Sequence, residues 1–393
     1  MTTALDLAMV KLSRKSVRWR FNRGLLVTAI LWTSFCTQAQ ESLLRSELKI
    51  DTTTFIRIWN KSNDSKTVSF SINDRHFFVQ YSDILKRAIP EPVSGEDSVK
   101  MIWDFTARHS YHYYPMTPYV WMHDPLTFFN SAGFGFCDDA ATINELLWKF
   151  MGYDARTWWL DGHVVSEVYQ GEKWKMLDSD LGCYYLNDSL MIASVEEVLE
   201  APRLVMERRN EIPVRVHEVN YKEADWKFLS EIFSQRSGYP DFTPLDSVLT
   251  SKSVQFELPA RSSLLIGDKI EPQFLTDVIQ GRIHQVKTFS NIVLDVPYAK
   301  QWRVELPLII QGIKGTGTIT INDESYRIGD PELDLKLRTR TDFIHSLYIE
   351  EARDLKIIFL FNRRIFDLAE TNELKVYGED LKGVRIKNTK RRS

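Results

Sequence analysis

Residues 133–155, GFGFCDDAATINELLWKFMGYDA, decide how the chain is read, because Cys137 follows a Gly-Phe-Gly-Phe approach and precedes two aspartates. Apolar residues then recur at helical spacing on one face, and Gly152 is well placed as the C-terminal stop. The pattern predicts a helix that begins at or just after Cys137. A cysteine there lies near the positive end of the helix dipole, which favours the reactive thiolate.

The next segment, residues 155–178, reads as an antiparallel meander. ARTWWL (155–160) and HVVSEVYQ (163–170) predict two strands joined by an Asp-Gly turn, and WKMLD (174–178) predicts a third. His163 opens the second strand and Asp178 closes the third, so the hairpin places them side by side. A carboxylate beside His163 would stabilise the imidazolium, which in turn would stabilise the Cys137 thiolate. This is the arrangement of a nucleophile, a base and an orienting acid.

The aspartates after the cysteine complicate this interpretation. Asp138 and Asp139 suit a helix N-terminus, but their charge opposes thiolate formation if they point at the sulfur, so a cation must offset them. Asp180, two residues after Asp178, is a competing candidate for the orienting acid.

Other readings of these residues remain open. Cys137 could be a plain core residue, or it could form a disulfide with Cys183, as two cysteines in an exported protein invite. His163 could be a structural histidine. A metal site is a further alternative, although no cysteine pattern or HExxH motif supports it; its ligands would be His109, His112 and His123.

The same residues carry a resemblance to a known family. GFCDDAATINELLWKFMGYDARTWW and DGHVVSEVYQGEKWKMLDSD resemble the core of the transglutaminase-like (papain-related) superfamily, over residues 95–200. The resemblance implies an α+β fold with the nucleophile helix packed on an antiparallel sheet, and no cofactor. It implies Cys137, His163 and Asp178 as catalytic residues and makes Trp121 the oxyanion-hole candidate. Ser179 departs from the family pattern, because many members have proline there.

The N-terminus has the pattern of a signal peptide over residues 1–39. A basic leader precedes a twelve-residue apolar run, GLLVTAILWTSF (24–35), which is too short for a comfortable membrane span. Thr37 and Ala39 suit a cleavage site, while an uncleaved anchor is the alternative. Its removal changes the net charge from −3 to −8, because six basic residues and one acidic residue are lost. That charge excludes a nucleic-acid binder. Removal of the signal segment would also leave the chain without a membrane span.

The pattern of apolar runs and turn residues divides the rest of the chain into segments. Residues 40–90 predict an N-terminal β segment, residues 91–240 the transglutaminase-like domain, and residues 245–393 a C-terminal all-β sandwich, since short alternating runs are separated by Gly, Pro, Asn and Asp. Within the middle segment, residues 97–114 predict a helix and residues 193–236 predict helical structure that opens on a Ser194/Glu197 capping box.

The functional expectation is a secreted or periplasmic cysteine enzyme that performs acyl transfer on amide bonds, with hydrolysis favoured over cross-linking. Its substrate would be a protein, peptide or glycan of the cell envelope. Two alternatives remain: a catalytically silent scaffold that binds a glycan or a partner protein, and a polysaccharide-acting enzyme on the same fold.

Overall fold

The computed structural model describes residues 42–49, 54–91, 95–110, 112, 123–211, 223–233, 254–268, 289–305, 308–339, 346–366 and 371–390. The predicted signal segment 1–39 and the oxyanion-hole candidate Trp121 lie outside the described residues.

The strands, numbered in chain order, all pair antiparallel. They are β1 Ser42–Lys49, β2 Thr54–Asn60, β3 Lys66–Ile72, β4 Ala155–Leu160, β5 His163–Gln170, β6 Lys173–Leu177, β7 Cys183–Tyr185, β8 Arg209–Glu211, β9 Phe256–Leu258, β10 Ser263–Asp268, β11 Phe289–Glu305, β12 Ile310–Ile321, β13 Glu324–Arg327, β14 Ser346–Asn362, β15 Thr371–Gly378 and β16 Val384–Lys390.

Eight α-helices lie in the described residues, and the last of them falls within the strand-rich C-terminal region. They are α1 Tyr81–Ala88, α2 Gly95–His109, α3 Pro125–Thr127, α4 Cys137–Phe150, α5 Val195–Glu200, α6 Leu204–Glu207, α7 Glu223–Ile232 and α8 Pro331–Thr339, with a π-helical turn at Phe128–Ala132 and a 3-10 turn at Arg363–Phe366. Among the described residues, none of these helices combines the length and the apolar character needed to span a membrane.

The first strands of the chain are built into sheets made by its last strands. One sheet has the order β1-β15-β3-β9, and a larger one has the order β13-β12-β14-β11-β10-β2-β16. Ile58 of β2 pairs with Leu264 on one side and Ile386 on the other. The sequence predicts residues 40–90 and 245–393 as separate segments. In the structure, strand pairing joins them.

Aromatic side chains from these two sheets meet in the core. Phe70 of β3 stacks on Phe256 of β9 at 5.9 Å, and Phe256 contacts Phe359 of β14 edge-on at 6.3 Å. Because side chains alternate between the two faces of a strand, each of these rings lies on the core-facing side of its own sheet. The prediction of a strand-rich C-terminal region is confirmed, but α8 interrupts it, so the region is not all β.

The middle of the chain forms a three-stranded sheet, β4-β5-β6, against which α4 packs. The predicted strands 155–160 and 163–170 are confirmed residue for residue, and the third is shifted by one residue. Helix α4 begins at Cys137, as predicted, and contributes Ile143, Leu147 and Trp148 to the core. The chain is therefore a mixed α/β protein with mostly antiparallel sheets.

Two predicted helices differ from the structure. The helix predicted over 97–114 ends at His109, and His112 instead forms a strand bridge with Gly135. Helical structure over the whole of 193–236 is wrong, because residues 209–211 pair with β7 as a strand. The predicted capping box is confirmed: the Ser194 hydroxyl accepts from the Glu197 N–H, and the Glu197 carboxylate accepts from the Ser194 N–H.

Candidate functional site

Cys137 is half-buried at the first position of α4. The preceding residue, Phe136, is extended, and its N–H donates to the Asp139 carboxylate at 2.9 Å, which closes the first turn. Gly135 allows this contact, since a Cβ there would lie 2.2 Å from Asp139 Oδ2. The approach to Cys137 therefore requires glycine at this position for steric reasons, and the cysteine stands where the helix N–H groups lack intrahelical acceptors.

The hairpin of β5 and β6 brings His163 and Asp178 together, as predicted. His163 Nε2 lies 2.7 Å from Asp178 Oδ2, and the side chains are only 6% and 1% exposed. Asp178 Oδ1 accepts the Leu181 N–H at 3.0 Å, and the Asp178 carbonyl accepts the Trp103 indole N–H at 2.8 Å. One bond thus holds the Asp178 carboxylate and the other holds its backbone.

Cys137 completes this group. Its Sγ lies within 4.8 Å of a ring nitrogen of His163. Because Nε2 contacts Asp178, Nδ1 is the nitrogen left for the sulfur. Burial by itself lowers the pKa of His163, but Asp178 and Cys137 raise it more, so this pKa lies well above its usual range. The three residues that the sequence singled out are adjacent.

Asp180, the competing candidate for the orienting acid, pairs closely with a different histidine. Both Asp180 oxygens lie 2.9 Å from His112 Nδ1. Burial lowers the pKa of His112, and the contact with Asp180 outweighs that effect and raises it. The site therefore holds two histidine–carboxylate pairs, of which the sequence predicted one.

A third histidine, His123, faces the two aspartates after the cysteine. Its Nε2 lies 3.6 Å from Asp138 and 3.4 Å from Asp139. Burial raises the pKa of Asp139 to about 7, although the charge of His123 opposes that rise. The sequence predicts a cation that offsets these aspartates, and His123 is the side chain that lies beside both of them.

Neither alternative for Cys137 matches the structure. Cys137 and Cys183 are free thiols, so no disulfide joins them. Cys183 is fully buried, its sulfur lies 3.7 Å from the Tyr185 hydroxyl, and burial raises its pKa well above the usual range. Cys137 is not a plain core residue either, because part of its side chain is exposed.

The alternative metal site at the three histidines is not assembled. His109 stacks on Phe105 at 4.1 Å, while His112 and His123 have the separate carboxylate partners described above. Within the described part of the chain, two groups have donor atoms close enough to share an ion. They are Cys137 with His163 and Asp180, and His123 with Asp138 and Asp139.

The segment before Cys137 is held by strands far along the chain. The Ser131 hydroxyl donates to the Leu360 carbonyl at 3.0 Å and accepts the Ile309 N–H at 2.9 Å. The Asn362 side-chain amide donates to the Phe129 carbonyl at 3.0 Å. These anchors escaped the sequence analysis, because no local pattern links residues that are 178 to 233 positions apart.

Comparison of the chain with protein-family models, with curated proteins and with solved structures finds no match in any of the three.

Proposed function

We propose that the protein is a cysteine enzyme of the transglutaminase-like type that hydrolyses amide bonds. The observation that carries this proposal is the contact of Cys137 with His163, together with the 2.7 Å contact of His163 with Asp178. A nucleophile, a base and an orienting carboxylate in this order are the minimal set for acyl transfer through a thioester.

In the first half-reaction the sulfur of Cys137 attacks the amide carbonyl carbon. His163 accepts the thiol proton and transfers it to the nitrogen of the leaving amine as the carbon–nitrogen bond breaks. The products are a thioester on Cys137 and a free amine. The backbone N–H of Cys137 is at the first turn of α4, where it would stabilise the developing oxyanion.

In the second half-reaction water attacks the thioester carbonyl carbon. His163 accepts a proton from the water, and the carbon–sulfur bond breaks to release a carboxylic acid and the sulfur of Cys137. Asp178 keeps the imidazole oriented in both steps, and its own position is fixed by Leu181 and Trp103. An amine in place of water would give cross-linking by the same steps.

The substrate proposed is a protein or peptide of the cell envelope, with a glycan as the alternative. This part rests on the signal-peptide pattern of residues 1–39 and on the negative charge of the remaining chain. The partial exposure of Cys137 supports an enzyme over a binding scaffold, since a substrate must reach the sulfur.

The test is the rate at which iodoacetamide labels Cys137 between pH 5 and 9, in the wild type and in His163→Ala. Ordinary thiols have pKa values of about 8.5 and react slowly in acid. Asp178 and Cys137 raise the pKa of His163 and so favour its imidazolium, and we therefore expect the wild type to label rapidly at pH 6. His163→Ala should label at least about tenfold more slowly there.

Cys137→Ser identifies the labelled position by peptide mass mapping, and His109→Ala is the matched control for loss of an imidazole elsewhere. Equal rates in the wild type and His163→Ala would contradict the ion pair. An inert thiol would favour the binding scaffold, and labelling that appears only after a chelator is added would favour a metal site at Cys137, His163 and Asp180.

A further inference from the structure

A second carboxylate, that of Asp180, lies near the sulfur of Cys137. An oxygen of Asp180 lies within 4.8 Å of both Cys137 Sγ and a ring nitrogen of His163, and the Asp180 side chain is only 4% exposed. A buried negative charge at this distance from a sulfur opposes the thiolate that the proposed reaction needs. The thiolate at Cys137 therefore requires a positive charge that offsets Asp180 as well as the one on His163.

His112 meets that charge directly. Its Nδ1 lies 2.9 Å from both oxygens of Asp180, so a single ring nitrogen is shared by the whole carboxylate. The residue is held there by its strand bridge to Gly135, two residues before Cys137, and its ring lies 5.6 Å from that of Phe136. The side chain is 38% exposed, which is more than any group in the His163 pair.

We propose that His112 is a positioning residue, which neutralises Asp180 and so keeps the charge around Cys137 compatible with a thiolate. The inference rests on the proposed function, because it concerns the reactive form of the same cysteine. His112 acts through Asp180 and needs no contact with substrate. The site would then depend on two imidazolium ions, one for the sulfur and one for the competing carboxylate.

The charged groups around His112 support this assignment. It is faced by the carboxylates of Asp180 and Asp178 and by the imidazole of His163, and the carboxylates outweigh both burial and the like charge of His163 in raising its pKa. The charge of Asp180 also reaches Asp139, where it contributes to the raised pKa. Loss of the His112 charge would therefore be felt at several groups around the sulfur.

The experiment measures the iodoacetamide labelling rate of Cys137 at pH 6 in the full chain, for the wild type, His112→Gln, Asp180→Asn and the double variant. His112→Gln should label about tenfold more slowly, because the Asp180 carboxylate beside the sulfur loses the positive charge of His112. Asp180→Asn should label at least as fast as the wild type. The double variant should regain the rate of Asp180→Asn, since no charge remains to be offset.

A further variant, His112→Lys, keeps a positive charge and does not depend on Asp180→Asn folding. It should label within about threefold of the wild type, whereas a merely structural role for the imidazole ring would leave it as slow as His112→Gln. A His112→Gln rate equal to that of the wild type would overturn the proposal. A double variant as slow as His112→Gln would overturn it too.

His163→Ala in the same series separates this inference from the proposed function. Slow labelling in His163→Ala with normal labelling in His112→Gln would retain the ion pair and overturn only the role of His112. Normal labelling in His163→Ala would overturn the proposed function, and an inert wild-type thiol would overturn both.

Discussion

The two halves of the candidate site are positioned in opposite ways. His163 and Asp178 lie 15 residues apart on neighbouring strands of one hairpin, which sets their contact. The segment before Cys137 is held by Ser131 and Asn362, whose bonds span 229 and 233 residues. The base and its acid are thus products of local structure, whereas the nucleophile depends on strands near the end of the chain.

The strand-rich region therefore helps to hold the candidate site in place. Gly133 has a left-handed backbone with φ of 63°, and a Cβ there would lie 2.2 Å from the Asn362 amide nitrogen. The approach to Cys137 and the end of β14 are therefore fitted to each other at van der Waals distance. Three tests, in decreasing order of expected effect, separate the local half from the long-range half.

Deletion of residues 254–393 should have the largest effect. It removes the pairing partners of β1, β2 and β3 and exposes core side chains such as Ile56 and Phe70. We expect the truncated chain to lose its cooperative thermal transition in circular dichroism and to be cleaved rapidly by proteases. A chain that lacks only residues 1–39 is the control. Cooperative unfolding with normal Cys137 labelling in the truncated chain would mean that the site stands without this support.

Asp139→Asn should change how stability depends on pH. The folded protein holds the Asp139 proton up to about pH 7, whereas the unfolded chain releases it near the ordinary value of 3.8. Between these values the folded state binds more protons, so stability should fall as pH rises, by as much as about 1.4 kcal/mol per pH unit. Urea unfolding at pH 4, 5, 6 and 7 should show this fall in the wild type and a smaller one in Asp139→Asn. Parallel curves would mean that Asp139 titrates normally.

Asn362→Ala should have the smallest of the three effects. It leaves the buried Phe129 carbonyl without its donor, which we expect to cost about 1–3 kcal/mol in urea unfolding. Asn388→Ala is the matched control, because Asn388 also donates to a backbone carbonyl but is exposed, and its loss should cost under about 0.5 kcal/mol. Equal losses in the two variants would show that the bond to Phe129 does not anchor the approach segment.

The sequence by itself determined the local parts of the site. The helical period after Cys137 describes α4, and the two runs on either side of the Asp-Gly turn describe β4 and β5, nearly residue for residue. The turn between β4 and β5 and the short connection to β6 then leave one way for His163 to meet Asp178. Local structure of this kind depends on neighbours in sequence, and the sequence shows those neighbours directly.

The long-range contacts of the site and the order of the strands became evident only in the tertiary structure. It paired Asp180 with His112 and His123 with Asp139, it left Cys183 buried as a free thiol, and it placed β2 between β10 and β16. Each of these outcomes joins segments whose own patterns are compatible with several partners. The choice among these partners depends on how much apolar surface the whole chain buries. Because apolar burial is non-directional, no local sequence pattern reveals that choice.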